Sequence, residues 1–274
     1  MHKKKKYIKN SRNSTSNTNR KKKLEFILIL FLSIIVLILF IMSPIFNVSE
    51  VIIYGNNHYT TQEIAQASGV LTGVNGFKSI GGNYKHYISL SYGQAEKNII
   101  LRCPYIKEVS VRYSIPDNVI IQVVERNPII LLPYLGTFLL TDKDGCVVET
   151  IDDVEKSNLP QIKGIKFKGY EIGQPLKIEN KESFKELIFL IDTLTQEDKN
   201  DNFKIVEIID TIDISDSNNI YLFIDSRLVV NVGSLDELNY KMKSLKQIFF
   251  KNIGEEEKGF LDYTAGDYPV FIPS

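Results

Sequence analysis

Chemistry needs convergent side chains, and this sequence of 274 residues offers few. Its three histidines, His2, His58 and His86, stand far apart, with no HxH or HExxH spacing and no adjoining cysteine pair. Neither metal ligation nor imidazole acid–base work is expected of them, and all three read as surface residues. Cys103 and Cys146 lack a CxxC partner and read as separate, at least partly buried thiols. Gly69, Gly73 and Gly76 follow a helical pattern where a phosphate loop should follow a strand, so they read as linker. "DKDG" puts Asp142, Asp144 and Asp153 at the first, third and twelfth positions of a calcium loop, but Val147 occupies the sixth, where glycine is required. A hairpin turn is the simpler reading. The acid-rich stretches "ETIDDVE", "TQEDKND" and "GEEEKG" read as solvated faces, and no GxSxG, SxxK or Cys/His arrangement occurs. No catalytic residue, metal or cofactor is expected.

The charge distribution is more informative. The chain carries 33 basic and 33 acidic residues. Ten of the basic ones lie in residues 1–23, which hold no acid, and Glu25 is the sole acid before Phe46. Residues 46–274 are therefore left with 23 basic and 32 acidic residues, a net of −9. Between these parts runs "FILILFLSIIVLILFI", Phe26–Ile41, in which only Ser33 is not Phe, Ile, Leu or Val. With its flanks it reaches about 20 residues, roughly 30 Å of helix, and its insertion is favoured by something like 5–9 kcal/mol. The core is too long for a signal peptide and no small-residue cleavage site follows it, so an uncleaved anchor over residues 25–45 is expected. Only Glu50 is charged within 15 residues beyond it. The positive-inside rule then puts residues 1–24 in the cytoplasm and the remainder outside. The basic tail, with no aromatic platform beyond Tyr7, reads as a topogenic signal attracted to anionic lipid and not as a nucleic-acid site.

The elements beyond the anchor follow from periodicity. Val51 and Ile53 share one face of a strand; Thr60 and Glu63 form a capping box for a helix stopped at Ser68-Gly69. A Gly- and Tyr-rich loop, 72–92, precedes a second helix over about Gln94–Arg102. Residues 109–128, "VSVRYSIPDNVIIQVVERNP", alternate apolar and polar residues on both sides of a proline turn. The order βααββ over 46–127 makes a small α+β module. Residues 128–274 add a hairpin turning at Asp144-Gly145, a helix carrying Phe184, Leu187, Ile188, Ile191 and Leu194, and three strand candidates between 203 and 233. A last helix, capped by Ser234 and Glu237, carries Leu235, Leu238, Met242, Leu245 and Phe249, and an extended segment ends the chain. A mostly antiparallel β domain with two helices is expected.

These segments resemble, in order, the FtsQ/DivIB family of bacterial cell-division proteins. "VSEVIIYGNNHYTTQEI" and "CPYIKEVSVRYSIPDNVIIQVVERNPI" are similar to that family's POTRA domain. "LLTDKDGCVV", "LPQIKG", "NVGSLDELNYKMKSLKQI" and "GFLDYTAGDYPVFIP" are similar to its β domain. Two departures stand out: Tyr113 lies three residues before Pro116, where Ile115 takes the nearer site, and the Gly-Tyr loop is long for the module. The resemblance implies a non-enzymatic, single-pass protein of the cell membrane and division septum. Its partners would be the single-span coiled-coil proteins FtsL and FtsB/DivIC, in a complex governing septal wall synthesis. The implied partner-binding residues are Leu261, Tyr263, Tyr268 and Phe271, with Lys241 and Lys246 as rim charges. The alternative is a POTRA-bearing component of a secretion or sporulation complex.

Overall fold

The computed structural model describes residues 15–199, 204–266 and 268–274, so the basic tail through Ser14, with His2, and the end of "TQEDKND" lie outside it. The apolar run forms helix α1, Thr15–Ile41. Its portion Arg20–Ile41 contains an 18-residue window with a mean hydropathy of 3.2, none of it buried, and at 22 residues is long enough to cross a membrane. A Met42-Ser43 turn and a 3₁₀ turn, Pro44–Phe46, end it.

Next come β1 (Glu50–Tyr54), α2 (Thr61–Ser68), α3 (Tyr84–Ser89), α4 (Gly93–Arg102), β2 (Ile106–Ser114) and β3 (Asn118–Glu125). The strands form a sheet in the order β1-β3-β2, with β1 parallel to β3 and Val51 opposite Val119. Val111, Tyr113, Val119, Ile121 and Val123 are buried while Arg112, Gln122 and Val124 are exposed, as the period-2 pattern demands. The capping box forms: the Thr60 amide donates to Glu63 Oε2 at 2.8 Å and the Glu63 amide to Thr60 Oγ1 at 3.2 Å. The expected loop 72–92 holds a helix, α3, that apolar periodicity could not reveal. Asn83 caps it by accepting from the amides of Lys85 and His86. His86 is half-buried, its Nδ1 accepting from the Asn83 amide at 2.9 Å and its Nε2 lying 3.0 Å from Glu96 Oε2. It is a structural tether where a surface residue was expected.

The remainder comprises β4 (Pro128–Tyr134), β5 (Thr137–Asp142), β6 (Val147–Ile151), β7 (Gln161–Lys163), α5 (Lys181–Asp198), β8 (Ile209–Asp213), β9 (Ile220–Ile224), β10 (Leu228–Gly233), α6 (Leu238–Lys251), β11 (Gly259–Asp262) and β12 (Val270–Pro273). Their sheet runs β12-β11-β10-β9-β8-β7-β4-β5-β6. It is mostly antiparallel; β4–β7, β7–β8 and β10–β11 are parallel. Leu187, Leu190, Leu194, Met242, Leu245 and Phe249 of the two helices bury their faces in its core. The β5–β6 turn uses Asp142, whose Oδ1 accepts from the amides of Asp144 (2.9 Å) and Cys146 (2.8 Å), with Gly145 at φ +76°. The Ser234–Glu237 cap does not form. Glu237 is left-handed at φ 54° with no capping bond, and Ser234 Oγ instead accepts from the Asp236 amide at 3.4 Å.

By compactness the chain divides in two. One unit gathers the residues up to Tyr54 with Gly69–Glu96 and Ser110–Gln122; the other gathers Gly55–Ser68, Lys97–Val109 and Val123–Ser274. Cys103 and Cys146 are free and buried, and burial raises both thiol pKa values.

Candidate functional site

The chain's last strand forms one border of the large sheet. Among the described residues β12 pairs with β11 alone, antiparallel, with Leu261 opposite Phe271 and Phe260 opposite Ile272. The Ser274 amide donates to Lys258 O at 3.0 Å, which sets the phase of the ladder. Hydrogen-bonded and non-bonded pairs alternate in an antiparallel sheet, so Ser274, Ile272 and Val270 turn their backbone groups toward β11. Phe271 and Pro273 turn theirs outward. The open border thus presents the Phe271 amide and carbonyl and the Pro273 carbonyl; Pro273 has no amide to leave unpaired. Side chains obey the same period: Phe271 leans on the core, while Val270 and Ile272 are exposed.

Of the six residues expected to bind partners, four stay near the surface. Tyr268 is exposed, and Tyr263 and Phe271 are half-buried against the core. Burial pushes the Tyr263 phenol up to about 12. Lys241 is half-exposed, but its ammonium donates to Val232 O (3.0 Å) and Ser234 O (2.9 Å), closing the β10–α6 turn.

The other two are corrections. Leu261 is 1 % exposed and belongs to the core, because it stands on the inward phase of β11. Lys246 is no rim charge: it is buried, with Nζ 2.7 Å from Asp198 Oδ1 and 3.1 Å from Glu197 O. An α6 position facing α5 carries it into the interior, where its charge requires a partner.

Sequence reasoning passed over the exposed Val270 and Ile272, although the alternation within "VFIP" was the available signal. It also passed over Phe189 and Tyr240, both exposed, which with Leu235, Glu237, Leu238 and Asn239 line a cavity of about 730 Å³ at the start of α6. Among the described residues no group of three or more His, Cys, Asp or Glu side chains is arranged to hold a metal. What this surface can do is pair and pack: free backbone groups beside exposed apolar side chains suit an added strand.

A βααββ module with one additional short helix, preceded by an apolar helix long enough to span a membrane and followed by a larger β domain, defines a class of POTRA-bearing proteins. Residues 46–126 match the family model described as "POTRA domain, FtsQ-type". The chain is 25% identical over 229 residues to cell division protein DivIB of Clostridium botulinum strain Hall, covering 83% of this chain and 82% of that one. It is 27% identical over 232 residues to DivIB of Clostridium tetani (83% and 79%), and 25% identical over 241 residues to DivIB of Staphylococcus aureus (86% and 47%). Residues 46–126 thus carry a POTRA domain of the FtsQ type, and the chain is similar over most of its length to cell-division proteins named DivIB.

Proposed function

We propose that this protein is a non-enzymatic division scaffold, held in the membrane by α1 with its N-terminus cytoplasmic and residues 46–274 outside. There it gathers FtsL-like and FtsB/DivIC-like single-span proteins at the septum and helps to govern septal wall synthesis. The observation that carries the reading is the border of β12, an unpaired row of backbone groups between exposed Val270 and Ile272. Edges of this kind are ordinarily shielded in monomers. A partner segment adding as a tenth strand would use the Phe271 amide and carbonyl for affinity and the Val270, Ile272 and Tyr268 side chains for specificity. The relatives' printed names support the division role.

A fluorescent fusion of the full-length chain should gather at constricting septa, and the tagged chain should retain FtsL- and DivIC-like proteins from detergent extracts of the same cells. Fluorescence dispersed over the envelope, with neither protein retained, would refute the scaffold. Detergent-stable rings outside the division cycle would favour a secretion or sporulation role instead.

A further inference from the structure

We infer that α3 and its flanks are a second membrane contact, docking on the lipid surface from which the chain emerges. Tyr84, Tyr87 and Ile88 stand at i, i+3 and i+4, one face of α3, and are 72, 63 and 81 % exposed. The opposite side is pinned by His86 to Glu96 and to the Asn83 amide, so this face is held outward.

Hydrogen-bond register shows where the face lies. Asn75 Nδ2 donates to Ile41 O at 2.8 Å, binding the base of the loop to the last turn of α1. Phe40, Phe46, Phe77 and Tyr113 form a chain of edge contacts at 5.2–5.3 Å, and Tyr113 Oη is 2.9 Å from Phe46 O. Tyr113 therefore marks the end of the unit nearest the helix exit. Residues 90–92 run antiparallel to 111–113, with the Tyr92 amide donating to Val111 O and the Tyr113 amide to Leu90 O, both at 2.8 Å. Stepping back from Tyr92 to Leu90 moves toward that same end, and α3 immediately precedes Leu90. Around the exit, Met42, Ile45, Leu71 and Val74 are exposed as well.

The occupant follows from chemistry. Tyrosines beside aliphatic side chains suit the headgroup boundary, where the ring meets acyl chain and the hydroxyl meets water. Charge agrees: residues 69–95 contain Lys78, Lys85 and His86 and no acid, in a region 46–274 of net −9. Lys78 and Lys85 are exposed and free to meet anionic headgroups. The inference rests on α1 spanning the membrane.

The chain has no tryptophan, so single reporters can be read without background. Full-length chains carrying Ile88→Trp, Tyr84→Trp, Leu39→Trp or Tyr54→Trp would be reconstituted in phosphatidylethanolamine/phosphatidylglycerol vesicles with brominated or plain acyl chains. Tyr54 ends β1 at the side of the unit remote from the exit. Bromine should quench the Ile88, Tyr84 and Leu39 reporters about twofold or more and leave the Tyr54 reporter unchanged. Reversal of Lys78 and Lys85 to Glu should weaken quenching at Ile88 without altering it at Leu39. Quenching at Leu39 with none at Ile88 and Tyr84 overturns the docking alone, as would be found if a protein covered this face. Quenching at none of the three overturns the span and the docking with it, and indifference to the lysine reversal overturns the electrostatic part.

Discussion

A lysine and an aspartate show how one residue can be misassigned when charge alone is read. Lys246 and Asp198 are both buried and 2.7 Å apart, and Asp198 Oδ2 also accepts from the Val206 amide at 2.9 Å. The pair fastens α6 to the end of α5. Removing one member strands the other charge, which costs about 3–5 kcal/mol, whereas removing both charges together costs far less. Lys246→Met should therefore lower stability by roughly that amount. Lys246→Met combined with Asp198→Asn should recover most of the loss, because asparagine keeps an acceptor for Val206. Chemical denaturation of the detergent-solubilised chain, followed by near-ultraviolet circular dichroism, measures both. A double variant no better than the single one would show that the ammonium's packing matters more than its charge.

At the scale of the element, β12 separates two roles of one backbone. The Phe271 amide points outward, so Phe271→Pro leaves the ladder to β11 intact and removes a donor a partner strand would need. Ile272→Pro would instead delete a bond within the ladder. Phe271→Pro should weaken partner capture about tenfold beyond Phe271→Ala, which removes the ring alone, while both leave a similar unfolding midpoint. Equal capture by the two variants would argue against strand addition at this border. Elements were legible in the sequence where one physical signal dominated. The alternation in 109–125, the capping box at Thr60 and the helical stripes of α5 and α6 each reflect one buried face. Helix α3 was hidden because its apolar face meets no core and a histidine tether, not periodicity, holds it. The α6 cap misled because Ser234 and Glu237 have the right spacing but the chain takes a left-handed turn at Glu237. The candidate surface was legible as a region. Its individual residues were not, because Leu261 and Lys246 are exposed or buried according to strand phase and helix–helix contact, which linear sequence does not fix.

Across the whole molecule, the neutral formal charge conceals a gradient that a topology experiment can exploit. Ten Lys and Arg precede Leu24, and none occurs from there until Lys78. Orientation depends on Lys and Arg within about 15–20 residues of a span's ends, with acids contributing little. The proposed orientation therefore rests on the near cluster, Arg20 to Lys23, more than on the net −9 of residues 46–274. Alkaline phosphatase fused after Ser274 should be active in the parent. Replacing the ten basic residues with Gln and placing four lysines between Asn47 and Tyr59 should reduce that activity by about tenfold or more, with a reciprocal gain for a cytoplasmic reporter. Adding acids to residues 46–274 without moving any lysine should change little. If acids alone inverted the chain, net charge and not the basic cluster would be setting its orientation.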